Sequence, residues 1–521
     1  LTGGLGALPD SYRPLTLSSG LRASAARTPD KIAMILGEER RTYARTLGNV
    51  NRIANLCRHG LGLRHGDRAA VISPNSMDYL ELMAGVSDIG AAAVTPNPRL
   101  SPREIAEICD DAGARVAFVH PDCADRVDPA MLHTVERVVA IGPELAAMMA
   151  EASDAFTPSG VAEWDVFSIP YTSGTTGKPK GVMLSHRSRT LGFLGYAAEY
   201  GVYSPDDHFL AISPMCHGAG FAFAFCAIFL GGTVEIMTRF DPEAVLRKIH
   251  DGQVTGIFTV PTHYHGMFGL EPRLIASLRG NRLAGIVANA APLARETTER
   301  IIDYFGAGLL HETYGSTEAG VVTNLRPRDQ LRKVRCVGQP FVGNQVELLD
   351  AQGRPVAYGE VGELFSNSPY LFNGYWNKPE QTAEAFRDGW VSVGDMARRD
   401  EDGFHYIVDR KKDVVISGGI NIYPREIERV LDGCPGVAES AVIGVPDARW
   451  GEQLVAYVVF GPGAPPDVAK LAAHARGRLA DYKIPKAYHP VDALPRNANG
   501  KVLKTDLRAL HGEGGAKESA P

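Results

Sequence analysis

The chain of 521 residues is longer than a single hydrophobic core normally serves, so two or more domains are expected. Apolar residues make up 45% and charged residues 22%, the balance of an ordinary soluble globular protein. A net charge of −6 with no basic run gives no support to nucleic-acid binding, and none is expected.

The seven cysteines, at positions 57, 109, 123, 216, 226, 336 and 434, are scattered and form no C-x-x-C pair. That pattern reads as free thiols in a reducing compartment and argues against structural zinc. The opening Leu1-Thr-Gly-Gly-Leu-Gly has neither a basic region nor an apolar core, so no signal peptide is read. The longest apolar run, 219–232, falls short of the ~20 residues a membrane-spanning helix needs and reads as a buried helix. The expected location is the cytoplasm.

In chain order, residues 67–120 alternate between apolar β-rich runs (68–73, 91–95, 115–119) and helical stretches (77–90, and one opened by Ser101-Pro102). Such alternation predicts βαβ units and a parallel sheet covered on both faces. Residues 144–164, rich in Ala, Ser and Glu, read as a surface connection. The alternation returns at 254–261, 284–288 and 308–310. After 339 the character changes to short runs (345–349, 362–366, 405–408) separated by Gly, Asp and Pro, as in a small β-rich region. The charged run Asp409-Arg410-Lys411-Lys412-Asp413 reads as a solvated turn, and the tail from 511 as disordered.

One run dominates the chemistry: Tyr171-Thr-Ser-Gly-Thr-Thr-Gly-Lys-Pro-Lys-Gly181, directly after the strand-like 166–170. Gly174 and Gly177 let successive N–H groups turn into one concavity, where an anion can be held. The hydroxyls of Thr172, Ser173, Thr175 and Thr176 add short donors, and Lys178 and Lys180 add positive charge. That combination suits a polyphosphate. It is not a Walker A loop, because only two residues separate Gly174 from Gly177 and Pro179 follows the lysine.

Five further segments say little in isolation. Tyr314-Gly-Ser-Thr-Glu318 reads as a turn with a solvated carboxylate, and Lys501, in Pro495-Arg-Asn-Ala-Asn-Gly-Lys501, as an exposed turn residue. Asp395 closes Gly389-Trp-Val-Ser-Val-Gly-Asp395, and His217 precedes the apolar run. In Ser417-Gly-Gly-Ile-Asn-Ile-Tyr-Pro-Arg-Glu-Ile-Glu428 the adjacent Gly418 and Gly419 let an extended ligand pass close to the backbone.

Together and in this order, these segments resemble the adenylate-forming superfamily, and within it the acyl-CoA synthetases, over about residues 30–505. The resemblance implies an α/β fold. A large multi-sheet N-terminal domain (1–410), with parallel βαβ layers and a β-rich subdomain, would precede a small mobile α+β C-terminal domain (411–521), with its hinge near 409–413 at Lys412. The implied activity is an ATP-dependent acid:CoA ligase acting in two steps on an apolar aryl or medium-chain acid, with ATP, Mg²⁺ and coenzyme A. A free-standing enzyme loading a carrier protein and a non-catalytic nucleotide-binding module are the alternatives. A homodimer is left open.

By the same resemblance Lys501, Glu318 and His217 are catalytic, and Glu318 is the Mg²⁺ ligand. ATP falls to Thr172, Ser173, Gly174, Thr175, Thr176, Gly177, Lys178, Ala291, Glu312, Tyr314, Thr317, Asp395 and Arg410. Glu312 stands where the family usually has Asn or Gln, and Val393 where it usually has Thr. The acyl pocket is assigned to His217, Phe221, Phe225, Asn289, Ala290, Gly315 and Ser316, with Phe258 and Met267 nearby. Asn289 stands where the family usually keeps glycine, and its amide is read either as a bond to a polar substrate group or as a block that shortens the cavity. Coenzyme A is assigned to Gly418, Gly419, Trp450, Tyr482 and Lys486.

Overall fold

The computed structural model describes residues 11–173, 179–417, 420–447, 449–461, 463, 465–476, 478–497 and 500–518. The chain forms two compact units, one of residues 1–346 with 366–391 and the other of residues 347–365 with 392–521. The charged run 409–413 lies within the second unit.

The first unit holds two large sheets. One runs in the order Arg137–Ala140, Val116–Val119, Arg68–Ile72, Ala92–Thr95, Val166–Ser173, all parallel, and ends on the antiparallel Pro179–Gly181. The other has a parallel centre made of Ile32–Leu36, Thr233–Ile236, His208–Ala211, Gly256–Thr259, Gly285–Ala288 and Leu310–Ser316. Antiparallel strands close both of its edges. The βαβ alternation read from the sequence is therefore present; most strand bounds fall within a residue or two of those expected, while the run expected at 308–310 is the longer strand Leu310–Ser316 and the run expected at 166–170 extends to Ser173.

Helix Met77–Ser87 packs on strands of both sheets and is buried almost all round. Helix Gly218–Leu230 is buried from Gly220 to Phe229, which is why its sequence is apolar on every face rather than along one stripe. It is a core element, and no helix among the described residues is long and apolar enough to cross a membrane. The helix Pro102–Ala112 starts as its sequence predicts. Ser101 accepts the Glu104 N–H, the Glu104 carboxylate accepts the Ser101 N–H at 2.8 Å, and Gly113 ends the helix in a left-handed turn.

In the second unit, Val361–Gly362–Glu363 pairs antiparallel with the strand Asp395–Arg399, which pairs with His405–Arg410. A separate sheet there combines the long hairpin Val437–Asp447 and Gly451–Phe460 with Val415–Ser417, Ile420–Ile422 and Ala487–Pro490. Two expectations are corrected. The connection 144–164 begins with helix Pro143–Ala150, whose Leu145 is buried in the core. The helix Lys504–Glu518 runs on past 511, anchored at its start by the fully buried Leu507, where composition alone suggests disorder. All seven cysteines are unpaired and buried, in both units.

Candidate active site

In the first unit, the ends of the Gly/Thr-rich run are carried by two paired strands, Tyr171 facing Gly181 and Thr172 facing Lys180. Gly174, Thr175, Thr176, Gly177, Lys178 and the Ser173 side chain lie outside the described residues. The Lys180 ammonium sits 5.1 Å from the centre of the Tyr375 ring. The Tyr375 hydroxyl donates to a Glu318 carboxylate oxygen at 2.9 Å. Burial, then the Glu318 charge, push the Tyr375 phenol far above its ordinary range, so it stays a donor at any working pH.

Glu318 reaches this corner because of a tight hairpin. Strands Leu310–Ser316 and Gly320–Leu325 pair antiparallel, and the Ala319 N–H donates to Ser316 Oγ at 3.0 Å. A Cβ on Gly315 would stand 2.1 Å from the Gly320 carbonyl oxygen, so glycine is the residue that lets the strands approach. Thr317 and Glu318 are thereby held at the tip. Among the described residues the Glu318 carboxylate has one hydrogen-bond donor, Tyr375, which leaves an oxygen for a hard cation. No cluster of three His, Cys, Asp or Glu among the described residues could hold a metal by itself. A single carboxylate such as that of Glu318 suits Mg²⁺, which characteristically combines one or two carboxylates with substrate phosphates and water.

Behind the hairpin, Glu312 pairs in register with Ala288 and is 8% exposed. It accepts the Leu293 N–H at 3.2 Å, and burial pushes its carboxyl up to about 7. Tyr314 faces Thr323 across the hairpin. Asn289 donates to Thr313 Oγ1 at 2.7 Å and accepts the Ala290 N–H. Both polar ends of its amide are thus engaged by the protein. Ala290 has φ +77°, a left-handed conformation unusual for alanine, and Ala291 beside it is exposed.

His217 immediately precedes helix Gly218–Leu230 and accepts the Phe221 N–H on its carbonyl at 3.1 Å. Burial, then the Arg99 cation, lower the imidazole below its ordinary value, so it is neutral at pH 7. Phe221 and Phe225 stack at 5.3 Å between ring centres and continue into Phe167 and Phe193. With 3% and 1% exposure they form a back wall and offer no open face. Phe258 stacks on Phe223 at 4.3 Å, and Met267 belongs to a separate core cluster. A small cavity, with room for about one water-sized group, lies between the helix His186–Tyr200 and the hairpin, lined by Ser188, Arg189, Tyr196, Thr317, Val321 and Tyr370.

In the second unit, Asp395 and Arg410 face each other in register, the Arg410 guanidinium 2.6 Å from the Asp395 carboxylate. Asp395 is 4% exposed. Lys412 is exposed on the short helical turn Lys411–Asp413. Lys501 rides on a second turn: its N–H donates to the Asn497 side chain at 2.9 Å, its carbonyl accepts the Asn497 N–H at 2.9 Å, and Arg496 donates to the Gly500 carbonyl at 2.6 Å. Desolvation of the ammonium, then repulsion by Arg410 and Lys412, lower Lys501 to about 8, although the residue as a whole is exposed. Asp395 opposes that shift.

The second unit therefore gathers Lys501, Arg410, Lys412 and Asp395. Gly418 and Gly419 lie outside the described residues. Trp450 stands at the turn of the long hairpin and Tyr482 in a short helical turn, 46% and 47% exposed, with Lys486 just ahead of the strand Ala487–Pro490. Three residues of the first-unit site escape the sequence reading. Tyr375, Thr313 and Arg189 sit in no recognisable pattern, and only their contacts reveal them.

Residues 21–376 match the family model described as AMP-binding enzyme, and residues 426–501 match the AMP-binding enzyme C-terminal domain. The chain is 38% identical over 491 residues to a feruloyl-CoA synthase of Amycolatopsis sp, covering 94% of this chain and 97% of that protein. It is 34% identical over 499 residues to a 2-succinylbenzoate–CoA ligase of Geobacillus kaustophilus, covering 95% and 98%. Among solved structures, ATP-bound MatB from Rhodopseudomonas palustris superposes with a TM-score of 0.87 at 32% identity, covering 96% of this chain and 99% of that one. The o-succinylbenzoate CoA synthetase of Bacillus subtilis in complex with its acyl-adenylate intermediate gives 0.84 at 28% identity, covering 95% and 98%. On this whole-length agreement of sequence and fold, the chain belongs to the AMP-binding enzyme family, as an acyl-CoA synthetase of the adenylate-forming superfamily.

Proposed function

We propose that the protein is an ATP-dependent acid:CoA ligase for an aryl or medium-sized carboxylic acid. The observation that carries this reading is the corner built by Glu318, Tyr375 and Lys180. It places a metal-competent carboxylate beside the strand that leaves the phosphate-type run. In the first half-reaction the acid's carboxylate attacks the ATP α-phosphate, giving an acyl-adenylate and pyrophosphate. Mg²⁺, when bound, would neutralise phosphate charge beside Glu318. Thr317 donates to the α-phosphate, Glu312 accepts from the adenine amino group and Tyr314 offers its ring to the base. Asp395 accepts from the ribose hydroxyls, with Arg410 beside it.

Lys501 bridges the two anions in the transition state, where a fixed cation contributes most. Neutral His217 orients the acid without adding charge. In the second half-reaction the C-terminal domain reorients about Lys412 and withdraws Lys501. The thiol of coenzyme A then attacks the acyl carbonyl and AMP leaves, with Gly418 and Gly419 flanking the pantetheine arm and Trp450, Tyr482 and Lys486 at the nucleotide end. A hinge motion of this size is an established way to form two sites in turn. The proposed location is the cytoplasm, in keeping with unpaired thiols throughout the chain.

The test is pyrophosphate release across aryl and aliphatic acids of graded length, with and without coenzyme A. Sustained turnover that requires one acid class and coenzyme A supports the ligase. A single burst indifferent to coenzyme A replaces it with a carrier-protein loader. ATP binding without pyrophosphate release from any acid leaves only a nucleotide-binding module.

A further inference from the structure

Arg189, on the inner side of helix His186–Tyr200, has no role in the mechanism above. It lines the cavity between that helix and the Thr317 hairpin. Its Nε is shut off from solvent and has no hydrogen-bond partner. Among the described residues no carboxylate pairs with it. Burial lowers its proton affinity, and the one group that opposes this is the Tyr196 phenol. The other nearby arginines of this helix and its surroundings are neutralised: Arg187 pairs with Glu163 at 2.7 Å and Arg326 with Glu199 at 2.7 Å. A guanidinium taken partly out of water without a counter-ion is costly, and an anion entering the cavity would remove that cost.

The position of the charge says where such an anion would sit. A Cβ placed on Gly218, next to His217, would lie 3.7 Å from an Arg189 terminal nitrogen and 3.7 Å from the Thr317 methyl. The guanidinium therefore stands beside the start of the helix that His217 precedes and beside the hairpin tip. Ser188 and Tyr196 supply further polar atoms on the same lining, while Val321 and Tyr370 give it apolar walls. Asn289, the other polar side chain of this region, has both ends of its amide engaged within the protein.

Resting on the ligase reading, we propose that Arg189 binds a second carboxylate on the substrate, so that the preferred acid is a dicarboxylic acid activated at one end only. A guanidinium and a carboxylate form a forked, charge-assisted pair that a methyl end cannot replace. Selectivity for the diacid over the monoacid of equal length is then on the order of tenfold or more in kcat/KM.

The experiment compares linear monocarboxylic acids with α,ω-dicarboxylic acids of matched length, and 3-phenylpropanoic acid with its ring-carboxylated counterpart, by pyrophosphate release with coenzyme A present. The full-length wild type, Arg189→Met and Arg189→Lys are assayed, with ATP-induced thermal shift as a check on folding. The expected result is a diacid preference in the wild type, its collapse in Arg189→Met and its partial return in Arg189→Lys. The ratio of the two kcat/KM values is the readout, since a purely structural loss lowers both alike. Equal losses on both series, or a wild type that prefers monoacids, overturn the proposal and leave the ligase standing. If Arg189→Met does not fold, the wild-type preference and the lysine variant decide. A wild type that turns over neither series removes the ligase reading and this proposal with it.

Discussion

At the scale of single residues, Lys501 and Glu312 are two groups of the candidate site whose charge changes within the working pH range. Lys501 is lowered to about 8, so its cation is present at pH 7 and is lost as pH rises through that value. The adenylation rate is expected to fall on the alkaline side of about pH 8, and Lys501→Arg, which keeps its charge, should remove that limb from the pH profile of pyrophosphate release. Glu312 runs the other way: its carboxyl is raised to about 7, so it is largely neutral below that pH and becomes a charged, stronger acceptor above it. ATP should therefore bind more tightly as pH rises through 7. Glu312→Gln, an acceptor at every pH, should flatten the dependence measured by ATP titration. Tyr375→Phe removes the donor that holds Glu318, and the expected outcome is a several-fold rise in the Mg²⁺ concentration needed for half-maximal rate, with ATP binding little changed.

At the scale of elements, the start of helix Gly218–Leu230 is fixed by backbone crowding. A Cβ on Gly220 would stand 2.1 Å from the Pro214 carbonyl oxygen, and the neighbour is main chain that cannot swing away. Gly220→Ala should destabilise the protein by about 2 kcal/mol or more in denaturant unfolding, within the range of steric overpacking. It should also disturb His217 at the head of the helix. The parallel strands and this helix were readable in the sequence because their signals are local: apolar runs of strand length, punctuated by Gly and Pro, and a helix too apolar to lie at a surface. The Asn289–Thr313 bond was not readable, because it joins the ends of two neighbouring strands and depends on their register. Nor were the partners of Phe221 and Phe225, which the resemblance assigns to the acyl pocket. The two rings pack on Phe167 and Phe193, residues 54 and 32 positions earlier in the chain.

At the scale of the whole molecule, the second unit is discontinuous in sequence, since residues 347–365 fold with 392–521. The strand that includes Val361, Gly362 and Glu363 takes its partners from Met396, Ala397 and Arg398. A chain ended after Val391 would leave this strand with an unpaired edge, an invitation to aggregation, whereas one ended after Arg410 keeps the three-strand set. Size-exclusion chromatography of the two truncations should show aggregates for the shorter and a monodisperse species for the longer. Motifs led to Asp395, Arg410 and Lys501 one by one. Their meeting in one charged cluster came from pairing and turn geometry, which no single segment encodes. Tyr375 and Arg189 were missed for the same reason, as each acquires its meaning only from a partner, or from the lack of one, far along the chain.

The seven cysteines add a practical consequence. Burial raises the thiols of Cys57, Cys109 and Cys216 to about 12 and that of Cys123 to about 11, so these four present almost no reactive thiolate, and all seven cysteines are buried. Cys434 lies in the second unit and the other six in the first. Under native conditions, alkylation by iodoacetamide is then limited by opening of the fold rather than by chemistry. Peptide-resolved labelling would time the loosening of each unit separately, with Cys434 as the clock for one and the remaining six for the other.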